Sequence, residues 1–141
     1  MSETIVVGVD ASEPSKDALR WAARQAELTG AGLHIVMAWE IPSMGYWAAI
    51  PQGLDLGKEA EKALQSTIEE VLGSDPKVAV RSTVAEGHAP LVLLEAAHDA
   101  DLLVVGSRGH GEFAGMLIGS VSEYCVTHAH CPVVVLRKHD H

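Results

Sequence analysis

The sequence predicts an α/β fold, in which five parallel strands form one doubly wound sheet with helices on both faces. Two observations carry this prediction. Short apolar runs alternate with helical segments along the chain, and several of these runs are hydrophobic at nearly every position, as strands buried on both faces are. The length of 141 residues and the 48% hydrophobic content suit one domain over residues 1–141, since no repeat, linker or low-complexity tract divides it.

The first part of the chain contains two predicted strands and one helix. Thr4–Asp10 is β-branched and almost continuously apolar, which predicts a buried parallel strand. Ser12 precedes an acidic residue and a proline, so a helix starts there, and it is expected to end near Gly30. Leu33–Trp39 predicts the second strand. Prolines and glycines then predict a long loop over residues 41–53.

The rest of the chain repeats the alternation of helix and strand. Leu56–Val71 has apolar residues at helical spacing and is followed by Gly73, which predicts an amphipathic helix with a glycine stop. A proline suits the first turn of the next helix. The remaining predicted elements are a strand over Val78–Val84, a helix from Pro90 to about His98, a strand over Leu102–Val105, a helix from Ser120 to about His128 and a strand over Pro132–Arg137.

The charge and cysteine content exclude some classes of protein. The chain has 19 acidic and 10 basic residues, for a net charge of −9 at pH 7. This charge disfavours binding to a nucleic-acid backbone, which needs a basic patch. Two cysteines do not form a disulfide framework. Neither a signal peptide nor a membrane-length apolar run is recognised, so we expect a cytoplasmic protein with no nucleic-acid or membrane partner.

The segment between the fourth strand and the fourth helix has glycines at positions 106, 109, 111 and 115. Without a Cβ atom, a backbone can approach a ligand closely. The following helix N-terminus offers unpaired N–H groups, while Arg108 adds a cation and Ser120 a hydroxyl, so the segment predicts a phosphate cradle. The Walker pattern G-x-x-x-x-G-K-[ST] and the Rossmann pattern G-x-G-x-x-G are both absent. A loop with incidental glycines is the alternative interpretation.

The spacing Gly106-x2-Gly109-x9-Gly119-Ser120 resembles the nucleotide-binding signature G-x2-G-x9-G-[ST] of the universal stress protein family. The resemblance covers the whole chain, because three further segments match: Gly8-Val-Asp-Ala-Ser12, Ala100-Asp-Leu-Leu-Val-Val-Gly106 and His130-Cys-Pro-Val-Val-Val135. It implies the adenine-nucleotide alpha-hydrolase-like fold with strand order 3-2-1-4-5. In that order the ends of the first and fourth strands share one crevice.

The same resemblance implies an ATP site. In such proteins the aspartate that ends the first strand faces the ribose or the phosphates, and a residue at the end of the second strand contacts adenine; these are Asp10 and Ala38 here. Mg²⁺ is expected to offset the phosphate charge. The expected nucleotide-binding residues are Gly8, Val9, Asp10, Ala38, Gly106, Arg108, Gly109, Gly111, Gly119, Ser120, Val121 and Ser122.

Structural roles stay open for several of these residues. Asp10 could serve only to cap the first helix, although Ser12 already supplies a good cap. Ser120 and Ser122 could be N-caps, a role that is compatible with phosphate binding. Arg108 could be a solvated loop charge.

The sequence does not predict a catalytic constellation. The G-x-S-x-G elbow is absent, and Glu86, His88 and Glu112 have no identifiable partner. The family resemblance therefore implies a nucleotide-dependent regulator or sensor in a stress response. A slow ATP hydrolase or nucleotidyl-transfer enzyme on the same fold, and a cyclic-AMP-binding module, are the alternatives, so enzymatic activity stays open.

The histidines and cysteines near the end of the chain do not predict a metal site. The pattern Cys125-x2-His128-x-His130-Cys131 would span a helix end and a strand start, which disfavours tetrahedral coordination. Histidine is also favoured at a helix C-terminus by the helix dipole. We expect both cysteines to be small buried packing groups.

The last strand predicts a homodimer. Val133–Leu136 is apolar on both faces, and the strand order that the resemblance implies places it at a sheet edge. Exposed apolar edges invite pairing, so two copies would join these strands antiparallel. Val134→Pro is expected to disrupt this pairing, with Val135→Pro as the control for the opposite hydrogen-bonding phase. Coverage of the edge by a loop or by residues 139–141 is the alternative.

Overall fold

The computed structural model describes residues 3–41, 55–107 and 119–137. Its elements are β1 (Thr4–Gly8), α1 (Glu13–Thr29), β2 (Gly32–Trp39), α2 (Leu56–Leu72), β3 (Val80–Glu86), α3 (Ala89–Ala96), β4 (Leu102–Gly106), α4 (Ser120–His128) and β5 (Val133–Leu136). The five strands form one parallel sheet in the order β3-β2-β1-β4-β5. Both the predicted fold class and the strand order are confirmed.

Helices cover both faces of the sheet, and the strand residues alternate between the two resulting cores. Val7 and Ile35 pack with α1 and α2 on one face. Val6, Val36 and Leu103 pack with α3 and α4 on the other. Because neighbouring residues of a strand point to opposite faces, a strand buried on both faces needs an apolar residue at every position. This explains the uninterrupted hydrophobic runs.

Two strands, β1 and β3, differ from the sequence-based expectation by two residues, whereas the other strands agree within one residue at each end. β1 ends at Gly8 and not at Asp10, because the Asp10 N–H donates to the Ser15 hydroxyl of α1 (3.2 Å) and so leaves the ladder. β3 begins at residue 80 and ends at Glu86, two residues later than expected. β3 is an edge strand whose residues 81–83 are polar and exposed, so its apolar pattern is too weak to fix its position.

The edge strand β5 has a defined hydrogen-bonding phase. The Leu103 N–H donates to the Pro132 carbonyl (3.0 Å), and the Ser107 N–H donates to the Leu136 carbonyl (2.7 Å). Since backbone groups alternate sides along a strand, Val134 also faces β4, whereas Val133 and Val135 present their N–H and C=O groups to the outer edge. The expectation that Val134→Pro removes an outward donor, with Val135→Pro as the control, therefore has the wrong hydrogen-bonding phase, because the Val135 N–H faces the outer edge and the Val134 N–H does not.

His34 of β2 forms a polar cluster with β3 inside the sheet. The residue is only 8% exposed. Its Nδ1 lies 3.1 Å from a guanidinium nitrogen of Arg81, and its Nε2 lies 2.7 Å from the Thr83 hydroxyl. A guanidinium can only donate, so Nδ1 accepts and the ring is neutral, with its proton on Nε2. Burial, and after it the Arg81 charge, lowers the pKa of His34 below its usual 6.5.

This lowered pKa predicts an acid-sensitive contribution to stability. Above pH 6.5 His34 is neutral in both the folded and the unfolded chain, and the contribution is fully present. As the pH falls below 6.5, the unfolded chain takes up a proton that the folded chain resists, so the free energy of unfolding should decrease until the folded pKa is reached. Urea titrations between neutral and acidic pH should show a smaller decrease for His34→Gln. Equal decreases in both proteins would contradict this prediction.

Candidate functional site

A pocket of about 120 Å³ lies at the carboxyl ends of β1 and β4, where the strand order reverses. Strand ends and helix starts form its walls. The lining residues are Gly8, Val9, Asp10, Ser15, Val36, Ala38, Ala89, Leu93, Val105, Gly106, Gly119, Val121 and Ser122. Its position agrees with the general rule that ligands of open α/β sheets bind outside the carboxyl ends of the strands.

The turn between β1 and α1 holds Asp10 in a fixed orientation. One carboxylate oxygen of Asp10 accepts hydrogen bonds from both the N–H (3.0 Å) and the hydroxyl of Ser12. Ser12 is the N-cap of α1, since its hydroxyl accepts from the Ser15 N–H (3.3 Å). Between them Ala11 has φ of 67°, in the left-handed region that costs energy for a non-glycine residue. Asp10 thus supports the cap indirectly, while also lining the pocket.

Two glycines permit close packing at the floor of the pocket. A Cβ atom on Gly106 would lie 2.9 Å from the carbonyl carbon and oxygen of Pro14, in the first turn of α1. A Cβ atom on Gly8 would lie 2.7 Å from Cδ1 of Leu93, in α3. Gly106 therefore has a packing reason to be glycine, independent of any ligand, because backbone atoms cannot move aside as a side chain can.

The N-terminus of α4 lies against the end of β4. Gly119 is the N-cap, so neither Ser120 nor Ser122 has that role. The buried hydroxyl of Ser122 donates to the carbonyl of Gly106, and the Gly119 N–H donates to the carbonyl of Ser107. These two bonds fix the first turn of the helix beside the last residues of the strand. The first N–H groups of a helix have no partner within the helix.

Three helices begin at this pocket. Ser15 lies in the first turn of α1, Ala89 is the first residue of α3, and Val121 lies in the first turn of α4; all three line the pocket. Each N-terminus contributes a partial positive charge. Asp10 is the charged side chain among the described residues of the lining. The pocket thus combines helix dipoles with a carboxylate at one side, an arrangement suited to an anion and its counterion.

The structure brings most of the expected nucleotide-binding residues together. Those that line the pocket are Gly8, Val9, Asp10, Ala38, Gly106, Gly119, Val121 and Ser122. Ser120 is exposed at the start of α4, between two lining residues, and is not itself part of the lining. Arg108, Gly109 and Gly111 lie outside the described residues.

The sequence interpretation missed five residues of the lining, which are Ser15, Val36, Ala89, Leu93 and Val105. Some of them follow from simple spacing once the fold is known. Val36 precedes Ala38 by two residues and shares its sheet face, and Leu93 follows Ala89 by one helical turn. The apolar character of Leu93 and Val105 gave no functional signal, since it equally suits the core to which both belong.

The other candidate groups do not form a catalytic centre with the pocket. Nδ1 of His88 lies 3.3 Å from the Glu40 carboxylate, but both side chains are more than half exposed. Glu86 is exposed at the end of β3, whereas Glu112 lies outside the described residues. Among residues 3–41, 55–107 and 119–137, no three His, Cys, Asp or Glu side chains are grouped so that they could hold a metal ion.

The two cysteines are free thiols. Cys125 is fully buried in α4, as expected, and Cys131 is half-buried before β5. Burial, followed by the neighbouring Cys131, raises the pKa of the Cys125 thiol to about 11. A thiol with such a pKa is protonated at neutral pH and is therefore a poor nucleophile. No helix in the described part of the chain has the length and apolar content needed to cross a bilayer.

Comparison with known proteins identifies the family. The sequence matches the profile of the Universal stress protein family over residues 1–137. A universal stress protein of Mycobacterium tuberculosis is 37% identical over 96% of this chain and 48% of its own length, so the chain spans about half the length of the curated relatives it matches. The solved structure of UspA from Lactobacillus plantarum has a TM-score of 0.79 at 22% identity, covering 96% of this chain and 97% of its own. A universal stress protein solved in complex with cAMP has a TM-score of 0.70 at 26% identity, and the match covers 95% of this chain and 96% of that protein. The chain belongs to the universal stress protein family.

Proposed function

We propose that this protein binds an adenine nucleotide, specifically ATP with Mg²⁺, in the pocket at the carboxyl ends of β1 and β4. The observation that carries the proposal is the convergence of three helix N-termini on a pocket whose floor contains Gly8 and Gly106. Unpaired N–H groups and positive dipole ends attract phosphate. The cAMP complex of a family member with 26% identity supports an adenine nucleotide as the ligand.

The pocket offers a different environment to each part of ATP. Val36, Ala38 and Leu93 form an apolar wall that suits adenine. Ser12 orients the carboxylate of Asp10, which would contact the ribose hydroxyls or the metal. The N-terminus of α4 suits the phosphates. Arg108, Gly109 and Gly111 lie outside the described residues; Gly109 belongs to the family signature, and all three remain expected phosphate contacts.

The proposed Mg²⁺ fits this set of donors. Mg²⁺ prefers oxygen ligands and usually takes one or two carboxylates, with phosphate oxygens and water supplying the rest. Asp10 is a carboxylate in the pocket lining and would be the protein ligand. When bound, the ion would neutralise phosphate charge, which matters in a chain with a net charge of −9.

We infer that binding, and not turnover, is the function of the site, so that the protein acts as a nucleotide-dependent regulator or sensor in a cytoplasmic stress response. Two free thiols suit the cytoplasm. Cyclic AMP is the second candidate ligand, because the cAMP complex of the relative favours it. Mass spectrometry of the nucleotide released on denaturation, and competition between ATP and cyclic AMP in calorimetry, distinguish the two.

Ser120→Ala should weaken ATP binding by about tenfold or more, because a hydrogen bond to a charged group contributes roughly 1.5–3 kcal/mol. Adenosine, which has no phosphate, should bind with unchanged affinity. Calorimetry with both ligands measures the difference, and Ser66→Ala, at an exposed position of α2, is the matched control. Equal losses for ATP and adenosine would assign Ser120 a structural role at the start of α4 and contradict its role as a phosphate ligand.

We also infer that two copies associate through β5. The strand ends the sheet order, so β4 is its one neighbour among the described elements. All four residues of β5 are only half-buried in the protomer, although all are apolar. Antiparallel pairing across a twofold axis would bury them and would satisfy the outward groups of Val133 and Val135.

A further inference from the structure

A second cavity lies at the amino ends of the strands, at the opposite end of the sheet from the proposed nucleotide pocket. It has a volume of about 230 Å³ and is formed where β1, β2 and β3 begin. Its lining residues are Thr4, Gly32, Leu33, His34, Ala79, Val80 and Arg81. The five residues of β1 separate the two ends of the sheet by roughly 17 Å, at about 3.3 Å per residue. Among the residues that the structure describes, none lines both cavities.

Arg81 is held at this cavity by an uncharged partner. Its guanidinium donates to Nδ1 of the buried His34 at 3.1 Å, and the opposite ring nitrogen donates to Thr83 at 2.7 Å. These two hydrogen bonds fix the imidazole between the side chains of Arg81 and Thr83, both in β3. A guanidinium carries five N–H donors in a rigid fork, so most of its donors are not used by His34.

The positive charge of Arg81 is not neutralised by a carboxylate in the described part of the chain. The ion pairs there involve Lys16, Arg20, Lys62, Lys77 and His88 as cations. The one charged group that perturbs His34 is Arg81 itself. Arg81 is therefore a cation that is hydrogen-bonded to a neutral ring and lines a cavity, in a protein with a net charge of −9.

We propose that this cavity binds a small oxyanion, a carboxylate or a phosphate group, on the guanidinium of Arg81. Arginine recognises such groups through two parallel N–H···O bonds, and although Arg81 is exposed, the bond to His34 restrains one of its terminal nitrogens. A volume of about 230 Å³ greatly exceeds the roughly 10–15 Å³ that one water needs by the same measure, so a small anion fits. Thr4 also lines the cavity.

Side-chain NMR of the full chain tests the proposal with two probes, inorganic phosphate and acetate, at constant ionic strength. The ring signals of His34 should shift and saturate with at least one probe. A larger affinity for phosphate would identify a phosphate ligand, and a larger affinity for acetate a carboxylate ligand. Adenosine at saturating concentration should leave the phosphate titration unchanged, because it has no phosphate to compete for Arg81 and the two cavities lie at opposite ends of the strands; this result does not depend on whether the nucleotide pocket binds ATP as proposed above.

Variants decide whether Arg81 carries the binding. Arg81→Gln should abolish the saturable shift, and Arg81→Lys, which keeps the charge without the fork, should weaken binding by about tenfold. Arg24→Gln, at an exposed position of α1, is the matched control and should bind as the original protein does. An absence of any saturable shift, or equal binding by Arg81→Gln and Arg24→Gln, would overturn the proposal. Circular dichroism verifies that each variant is folded.

Discussion

Gly106→Ala is expected to lower the free energy of unfolding by about 1–3 kcal/mol, the usual cost of overpacking a close contact. The added Cβ would lie 2.9 Å from the Pro14 carbonyl carbon and oxygen. These are backbone atoms in the first turn of α1, so relief requires the helix to move away from β4. Denaturant unfolding monitored by circular dichroism measures the change.

Gly32→Ala provides the matched control for this experiment. It also changes a glycine at the end of a strand, but its Cβ would find its nearest neighbours at 3.9 Å, an ordinary contact distance. A stability of Gly106→Ala equal to that of Gly32→Ala would contradict the packing argument. Since the movement of α1 also displaces the pocket wall that contains Ser15, nucleotide affinity should fall together with stability.

Val135→Pro is expected to convert the proposed dimer to a monomer without unfolding the protomer. The Val135 N–H faces the outer edge of β5, where proline removes a donor from the shared ladder. Light scattering should report a mass near 14.9 kDa for this variant and near twice that value for the original protein. Val135→Thr keeps the N–H and should remain dimeric.

Val134→Pro should give a different result, because the Val134 N–H faces β4 within the protomer. Loss of this bond costs about 1 kcal/mol or more, and the proline ring adds a steric cost, so the thermal midpoint of the protomer should fall. The two variants thus separate edge pairing from strand pairing. A monomeric original protein at micromolar concentration, or identical behaviour of the two variants, would contradict pairing through β5.

The fold could be predicted from the sequence because its main signals are local. The apolar runs of β1 and β4 and the caps at Ser12 and Gly30 each act within a few residues, and the structure confirms them. β3 could not be positioned as well. Its polar residues are tolerated because it is an edge strand. Which strands lie beside it cannot be inferred from its own residues.

The position of the candidate site could be predicted from the sequence, but the contacts that require its residues could not. The glycine spacing pointed to Gly106 and Gly119, and both lie at the pocket. The contact of Gly106 with Pro14, which lies far away in the sequence, could not be inferred from the loop alone. The role of His34 was missed for the same reason, since its partner Arg81 becomes a neighbour only through the pairing of β2 with β3.

The pairing of β1 with β4 has a consequence for folding. Residues 97 positions apart meet there: the Thr4 N–H donates to the Asp101 carboxylate (2.8 Å), and the Asp101 N–H donates to the Thr4 carbonyl (2.9 Å). Contacts of such long range require the closure of a large loop, and they slow folding. Gly8 and Asp10 lie on one side of this junction, and Gly106 and Ser122 lie on the other. The pocket is thus complete only after the two strands have joined, and a ligand held by both sides opposes their separation. At a hundredfold excess over its dissociation constant such a ligand adds about 2.7 kcal/mol, so the amide hydrogens of β1 and β4 should exchange more slowly when the pocket is occupied.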